Sequence, residues 1–304
     1  MDNPLIVLGC PRSGTTLLSR LISLSCYGEP FETHYILDYY NKLDTYGDIT
    51  QLKNFSRLVK DICQERPIMQ WNLEINPEDF FREFDTVSYP DIVCGIGAKI
   101  AEKQGKSKWG EKTPHYLFDL DKLAELFPES RFIYIVRDGR DVALSLLERP
   151  WQPYNLLTCA ELWRDINSHN PLMDKLKAED RLYSLRYEDL LKDPEKLIPE
   201  IYEFIGEKPD SAEVSELMSS IKRNNFYKWQ NKMSPGRIKL FETCAGNTLK
   251  RFGYETSFPE KTINPFIKML YHLHEKFFVI RWLFIVNVID GIKIKFFGKQ
   301  PFAE

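Results

Sequence analysis

Long apolar runs, paired cysteines and an excess of charge of one sign are all missing from this 304-residue sequence. The net charge of −3 excludes a general affinity for polyanions, so any phosphate site has to be local. No repeat or low-complexity tract is visible, and 43% of the residues are hydrophobic, which is enough for a full core. We therefore expect a folded protein that has no nucleic-acid partner.

The cysteines and histidines do not form a recognisable metal or redox motif. None of the six scattered cysteines belongs to a CxxC pair. His272 and His274 are two positions apart and cannot share a helix face. We expect reduced thiols in a cytoplasmic protein without a metal, with an oxidised cysteine pair left open. The first apolar run, residues 5–8, is too short for the core of a signal peptide.

Apolar patterns that alternate between strand-like and helix-like periods predict an α/β fold. We expect a P-loop-like central parallel sheet flanked by helices, with ligands at the carboxyl ends of its strands. The predicted strands are residues 4–9, 131–136 and 182–186, and the predicted helices are residues 16–25, 92–104, 117–126, 141–147 and 195–205.

Residues 36–84 contain no clear strand and are predicted to be a helical insertion in an α/β domain of residues 1–260. We expect acceptor-binding loops within this insertion and at residues 147–170, where Trp71, Trp151, Tyr154 and Trp163 are suited to stacking on a ring or to filling the core.

The last 44 residues, 261–304, are predicted to be a helical appendage. They carry seven Lys and Arg against three Asp and Glu, and their apolar stretch at 277–289 is too short to cross a bilayer. Flanking basic residues favour an interfacial helix near anionic lipid, and packing on the core or in a homodimer is the alternative. These basic residues are Lys276, Lys293, Lys295 and Lys299.

A glycine loop follows the first predicted strand and opens a helix. Such a loop directs successive backbone N–H groups, at the positive end of a helix dipole, towards one point where an anion fits. The loop and helix start contain Arg12, Ser13, Gly14, Thr15 and Thr16. Its glycine spacing matches GxxxxGK[ST], but Thr15 stands at the lysine position, which argues against an ATP or GTP phosphotransferase. A strand-turn-helix that binds no ligand is the other interpretation.

A second strand-turn-helix begins about 125 residues after Arg12. Arg137 ends the predicted strand, and Ser145 lies about two turns into the helix that follows. An arginine and a hydroxyl at the edge of a sheet suit a second phosphate. An ion pair between Arg137 and Asp138 or Asp141 is the alternative.

Together the two motifs resemble those of sulfotransferases that use 3′-phosphoadenosine 5′-phosphosulfate (PAPS). Pro-Arg-Ser-Gly-Thr-Thr-Leu-Leu, residues 11–18, is most similar to the 5′-phosphosulfate loop of the protein-tyrosine and bacterial enzymes. The steroid and phenol enzymes have lysine at the position of Arg12. The resemblance covers residues 4–255 and implies PAPS as the co-substrate, with the 3′-phosphate on Arg137 and Ser145.

The same resemblance assigns roles to further residues. Lys112, in Trp-Gly-Glu-Lys-Thr-Pro-His, is expected at the sulfuryl oxygens, and Glu32 is expected to be the general base. His34 and His115 are second and third choices for the base, and His34 stands where the tyrosine enzymes have another basic residue. Weaker similarity places further residues around the nucleotide: Tyr187, Ser220 and Lys228.

We therefore expect direct in-line transfer of the sulfuryl group from PAPS to a hydroxyl or amine, without a covalent intermediate or a metal. The acceptor is left open between a small molecule, a saccharide, a lipid and a peptide. A P-loop phosphotransferase and a non-catalytic nucleotide-binding protein are the competing hypotheses.

Overall fold

Four short parallel strands form a sheet in the order β2-β1-β3-β4. They are β1 (Leu5–Leu8), β2 (Gly110–Glu111), β3 (Phe132–Val136) and β4 (Leu182–Arg186). Every residue of β1 and β3 is buried, as expected for strands covered on both faces. This computed structural model confirms the predicted α/β class. The sequence analysis missed β2, because two residues are too few to show a strand period.

The structure describes residues 2–149, 153–208, 211–221 and 223–285. Within these ranges the α-helices are α1 (Thr15–Ile22), α2 (Tyr35–Asn41), α3 (Leu52–Cys63), α4 (Arg66–Met69), α5 (Pro77–Arg82), α6 (Tyr89–Lys103), α7 (Leu120–Leu126), α8 (Gly139–Leu147), α9 (Leu156–Ile166), α10 (Pro171–Ala178), α11 (Tyr187–Lys192), α12 (Pro194–Ile205), α13 (Ser211–Ser219), α14 (Trp229–Lys232), α15 (Pro235–Arg251) and α16 (Pro265–Phe284). Two 3-10 helices are Leu43–Tyr46 and Pro114–Asp119.

Two predicted segments differ from the structure. The predicted helix at 117–126 starts inside the 3-10 helix Pro114–Asp119 and becomes α-helical only in α7. The predicted loop at 147–170 contains α9, so the loop prediction was wrong. Asn155 caps this helix by accepting a hydrogen bond from Thr158 N, and its buried residues recur at helical spacing.

The chain divides into two units, residues 1–136 with 169–225 and residues 137–168 with 226–304. The first unit contains the sheet and the predicted helical insertion. In that insertion α3 packs on α5, where the Phe55 ring lies 5.7 Å from that of Phe80 and 5.0 Å from that of Phe81. The predicted domain boundary at residue 260 stays a prediction.

The second unit is organised around α8, α9 and α15. Trp163 of α9 is completely buried, packs against Phe241 of α15, and donates an indole hydrogen bond to Arg137 O at 3.1 Å. Trp163 is therefore a core residue of this unit. Trp151 lies outside the described residues. Among the helices the structure describes, none combines the length and the apolar character needed to cross a bilayer.

None of the six cysteines, all of which lie in described parts of the chain, forms a disulfide. Four of them are buried and two are half-buried.

A buried carboxylate joins the edge strand β2 to the segment that precedes α2. Glu111 is completely buried, and its Oε1 accepts a hydrogen bond from Thr33 Oγ1 at 3.2 Å. The same Thr33 hydroxyl lies 3.1 Å from Tyr116 Oη, which accepts a hydrogen bond from Ile36 N. Burial raises the pKa of Glu111 to about 7, although hydrogen bonds from Thr113 and Thr33 oppose the rise. The folded chain therefore holds this proton more tightly than the unfolded chain.

Replacing Glu111 with glutamine tests this burial. The free energy of unfolding of the parent should decrease as the pH rises from 4.5 through about 7. In this range the folded state still binds the Glu111 proton, whereas the unfolded state has lost it. Glu111→Gln has no such decrease. We therefore compare the free energy of unfolding of Glu111→Gln with that of the parent, measured by urea titration at pH 5 and at pH 8.5. The difference, variant minus parent, should increase by up to about 3 kcal/mol from the lower pH to the higher.

The matched control is Glu125→Gln on the exposed face of α7. Its difference from the parent should be the same at both pH values. A Glu111→Gln difference that is also independent of pH would show that the buried carboxyl does not titrate as expected.

Candidate active site

The loop between β1 and α1 has the backbone geometry of an anion site. Gly9 lies so close to β3 that a Cβ atom there would be 2.6 Å from Ile135 O. Arg12 and Gly14 have positive φ angles of 71° and 99°, so the chain turns sharply before α1 begins at Thr15. The first N–H groups of a helix have no acceptor within it and carry the positive end of its dipole. They are suited to a phosphate or sulfate group.

Side chains pack closely around this loop. Ser13 and Thr15 are buried, and Ser13 N donates to Cys10 O at 3.0 Å. The ring of Tyr187, the first residue of α11, covers Gly14 so closely that a Cβ atom there would be 2.3 Å from it. The fold thus brings the predicted residue Tyr187 to the predicted loop, and it explains why position 14 needs glycine.

Three predicted residues meet beside β2. Lys112 Nζ donates to Glu32 Oε1 at 2.6 Å, and Glu32 Oε2 lies 3.1 Å from His34 Nε2. They meet because the segment before α2 runs parallel to β2, with Phe31 opposite Glu111 and Lys112 N donating to Phe31 O at 2.9 Å. Residues 80 positions apart in the sequence are therefore in contact.

The contacts in this cluster shift the pKa values of Glu32 and His34. Burial raises the pKa of Glu32, but hydrogen bonds from His34 and Lys112 outweigh it and lower the pKa to about 2. The hydrogen bond with Glu32 raises the pKa of His34 above its ordinary value, although burial opposes it. Glu32 is thus a carboxylate at every pH near neutrality, held between two potential cations.

A cavity of about 220 Å³ lies between the first turns of α1 and this cluster. The Phe31 and Trp71 rings lie edge to face on its wall, with their centroids 5.5 Å apart. The lining residues are Thr16, Ser19, Glu29, Pro30, Phe31, Glu32, Trp71, Gln104 and Lys112. One wall therefore presents the helix that follows the loop, and another presents a lysine and a carboxylate.

Two other predicted residues of the first unit have simpler surroundings. His115 is exposed, and its pKa is lowered by desolvation and by nearby His34. The hydroxyl of Ser220, just after α13, donates to Leu217 O at 2.6 Å. This hydroxyl therefore hydrogen-bonds a backbone carbonyl in the last turn of α13.

In the second unit, Arg137 lies in a turn crossed by ion pairs. Its guanidinium is nearly buried and is 3.3 Å from Asp141 Oδ2, so the predicted alternative of an ion pair at this turn is present. Burial raises the pKa of Asp141, and Arg137 opposes the rise. Ser145 is half-buried on α8, two turns from Arg137.

Lys228 is exposed at the start of α14, next to a tryptophan that binds this turn. Trp229 N donates to Asp141 Oδ1 at 2.9 Å, and its indole donates to Asp138 Oδ2 at 3.0 Å. The predicted residues Lys228, Arg137 and Ser145 thus belong to the same small part of the second unit.

The sequence analysis missed three side chains that support the predicted ones: Thr33, Glu111 and Trp229. Each of the three is adjacent in the sequence to a predicted residue, so adjacency was the available signal. Nothing local indicates that Glu111 and Thr33 bond to each other. Among the described residues no group of three or more His, Cys, Asp and Glu is arranged to hold a metal ion.

Comparison with known proteins places the chain in a family. Residues 4–211 match the sulfotransferase family. The omega-hydroxy-beta-dihydromenaquinone-9 sulfotransferases Stf3 of Mycobacterium bovis and Mycobacterium tuberculosis are 26% identical over 166 residues, 49% of this chain. This match spans only 42% of the length of each relative.

Two solved structures share the fold. The sulfotransferase domain from the curacin biosynthetic pathway has a TM-score of 0.56 and 18% identity, over 84% of this chain and 99% of that domain. The sulfotransferase domain from the Synechococcus PCC 7002 olefin synthase has a TM-score of 0.54 and 21% identity, over 84% and 97%. The family match covers more than half of the chain and agrees with the shared fold. The chain belongs to the sulfotransferase family.

Proposed function

We propose that this protein transfers the sulfuryl group of PAPS to a hydroxyl or amine acceptor. The observation that supports this most is the cavity that Thr16 of α1 lines together with Lys112 and Glu32. It brings the start of the helix after the glycine loop, a cation and a carboxylate together, which a direct group transfer requires. A P-loop phosphotransferase is disfavoured, because buried Thr15 occupies the lysine position of a nucleotide P-loop.

The loop and Lys112 would hold the reacting end of the donor. The N–H groups at the start of α1, with Arg12, Ser13 and Thr16, are proposed to bind the 5′-phosphosulfate. Lys112 is nine-tenths buried, so its ammonium is poorly screened by water and would interact strongly with the sulfuryl and bridging oxygens. These groups would stabilise the negative charge that builds up on the departing phosphate.

The other end of the donor is assigned to a separate set of residues. We assign the 3′-phosphate to Arg137 and Ser145, with Lys228 nearby in the same unit, and the nucleotide wall to Tyr187 and Ser220. The buried guanidinium of Arg137 supports its role, because Asp141 contacts it directly and Trp163 holds the Arg137 backbone carbonyl in place.

Glu32 is our proposed base. The acceptor O–H or N–H gives its proton to the carboxylate while the acceptor atom bonds to sulfur, and the sulfur–oxygen bond to the 5′-phosphate breaks. When Lys112 turns its hydrogen bonds to the sulfuryl oxygens, it lowers the pKa of Glu32 less, so the carboxylate becomes a better base. His34 would position Glu32 from the other side.

We propose a small-molecule acceptor. The support is the pair of aromatic rings on the wall of the cavity, which suit an apolar body carrying one hydroxyl. The curated relatives are named for a hydroxylated menaquinone, which is an acceptor of this kind.

Binding of 3′-phosphoadenosine 5′-phosphate (PAP), the product of the donor, tests the donor assignment. PAP at a hundredfold excess over its dissociation constant should stabilise the fold by about 2.7 kcal/mol, which raises the melting temperature. ATP with Mg²⁺ should have much less effect. Arg137→Ala should weaken PAP binding, and Arg82→Ala, in an exposed ion pair with Asp79, is the matched control.

Equal stabilisation by ATP would contradict the assignment of PAPS as donor. Unchanged affinity for PAP in Arg137→Ala would remove only the assignment of the 3′-phosphate. The two results are therefore separable.

Replacing Glu32 tests the base. Glu32→Gln keeps the size of the side chain and removes the proton acceptor, so PAP should still bind while turnover falls by roughly two to four orders of magnitude. His34→Ala should lower turnover less, because His34 acts on Glu32. PAP release and PAP titration, measured for both variants and the parent, give the two quantities.

His115→Ala serves as the control for a histidine in the same region. If Glu32→Gln keeps the turnover of the parent while either histidine variant is inactive, the base is that histidine. Activity in all three variants would refute the proposed acceptor side of the site.

A further inference from the structure

One long helix of the second unit presents an apolar stripe to solvent. In α16 the side chains at positions 266, 270, 273, 277, 280 and 284 recur at intervals of four and three, which places them on one face. Each of them is between 49% and 67% exposed. They are Phe266, Leu270, Leu273, Phe277, Ile280 and Phe284, and we call them the α16 stripe.

The opposite face of α16 is bound to its own unit. Glu275 accepts hydrogen bonds from Tyr154 N, Asn155 Nδ2 and Thr158 Oγ1 at 2.8 to 3.1 Å. Lys268 and His272 lie 2.9 and 3.1 Å from the two carboxylate oxygens of Glu161 on α9. These polar contacts fix the rotation of the helix, so the stripe is held pointing away from α9.

Charge around the stripe is of one sign. Arg281 and Lys276 are exposed and lie on its two sides, about 60° and 80° from its centre at 100° per residue. Glu275 is the one acidic residue of α16, and it is on the bound face. A second copy of the helix would bring basic flanks against basic flanks, whereas paired helices need opposite charges there.

We propose that the α16 stripe docks on a membrane surface that contains anionic lipid. An apolar face flanked by Lys and Arg, on a helix that lies in the plane of the interface, is the pattern that binds such surfaces. The helix of 20 residues would contribute a contact about 30 Å long. The whole segment 261–304 carries seven basic and three acidic residues, so its net charge also favours an anionic surface.

Vesicle co-sedimentation of the full chain, without donor or acceptor, tests this proposal separately from catalysis. We expect binding to vesicles of phosphatidylcholine with phosphatidylglycerol, and much weaker binding to phosphatidylcholine vesicles. High salt should weaken the binding. Phe277→Ser combined with Ile280→Ser should lower the partition coefficient at least about tenfold. Lys276→Gln and Arg281→Gln should each lower it about fivefold, on anionic vesicles only.

Exposed residues of the first unit provide matched controls. Met69→Ser and Phe118→Ser remove apolar side chains that are 59% and 50% exposed, and they should leave the partition coefficient unchanged. The melting temperature of every variant should match that of the parent, because the substituted side chains are exposed.

Three results would overturn the proposal. One is failure of the parent to bind anionic vesicles. Another is equal binding to anionic vesicles by the Phe277→Ser, Ile280→Ser variant and by the two control variants. The third is a stable dimer in solution that Phe277→Ser with Ile280→Ser dissociates, which would assign the stripe to a second copy of the chain.

Discussion

The parallel alignment of the segment 31–34 with the edge strand β2 is the constraint on which the site depends. Lys112 N donates to Phe31 O, and buried Glu111 accepts from Thr33, so the two segments are joined by backbone and side chain together. Glu32 and His34 flank Thr33, and Lys112 follows Glu111. Tying the inner residues to each other therefore places the outer residues, which we propose to act in catalysis, in contact. A buried carboxyl is costly unless it is neutral or well bonded, and Glu111 meets this demand by holding its proton up to about pH 7.

The Glu32–Lys112 ion pair provides the two groups that the proposed reaction needs. Hydrogen bonds from His34 and Lys112 stabilise the Glu32 carboxylate, which is why the pKa of Glu32 falls to about 2 in spite of burial. In the proposed reaction the lysine is needed at the sulfuryl group and the carboxylate is needed as a base. In that proposal the same ammonium would couple donor binding to the basicity of Glu32, so that an acceptor proton would be taken most readily when a donor is in place.

The second unit uses charge differently. Arg140 is completely buried and makes a two-pronged contact with Asp138, while its remaining nitrogen donates to Glu242 at 2.7 Å. Its guanidinium also stacks 3.6 Å above the Trp229 ring. Removing one partner of such a buried network leaves an uncompensated charge and costs about 3–5 kcal/mol, so the network holds the turn around Arg137 in one arrangement. The turn thereby keeps the buried guanidinium of Arg137 beside Asp141.

Local patterns in the sequence determined the α/β class, the anion loop and the turn around Arg137. These features depend on neighbouring residues: apolar runs for β1 and β3, Gly14 for a positive φ, and a strand followed directly by a helix. Only the tertiary structure decided that Glu32 meets Lys112, that Glu111 holds a proton, that Tyr187 covers Gly14 and that α16 exposes its apolar face. Those outcomes depend on which segments lie side by side in the sheet and which face of a helix finds a partner. Neither is encoded in the periodicity of a single segment, because the energy of each contact belongs to residues far apart in the chain.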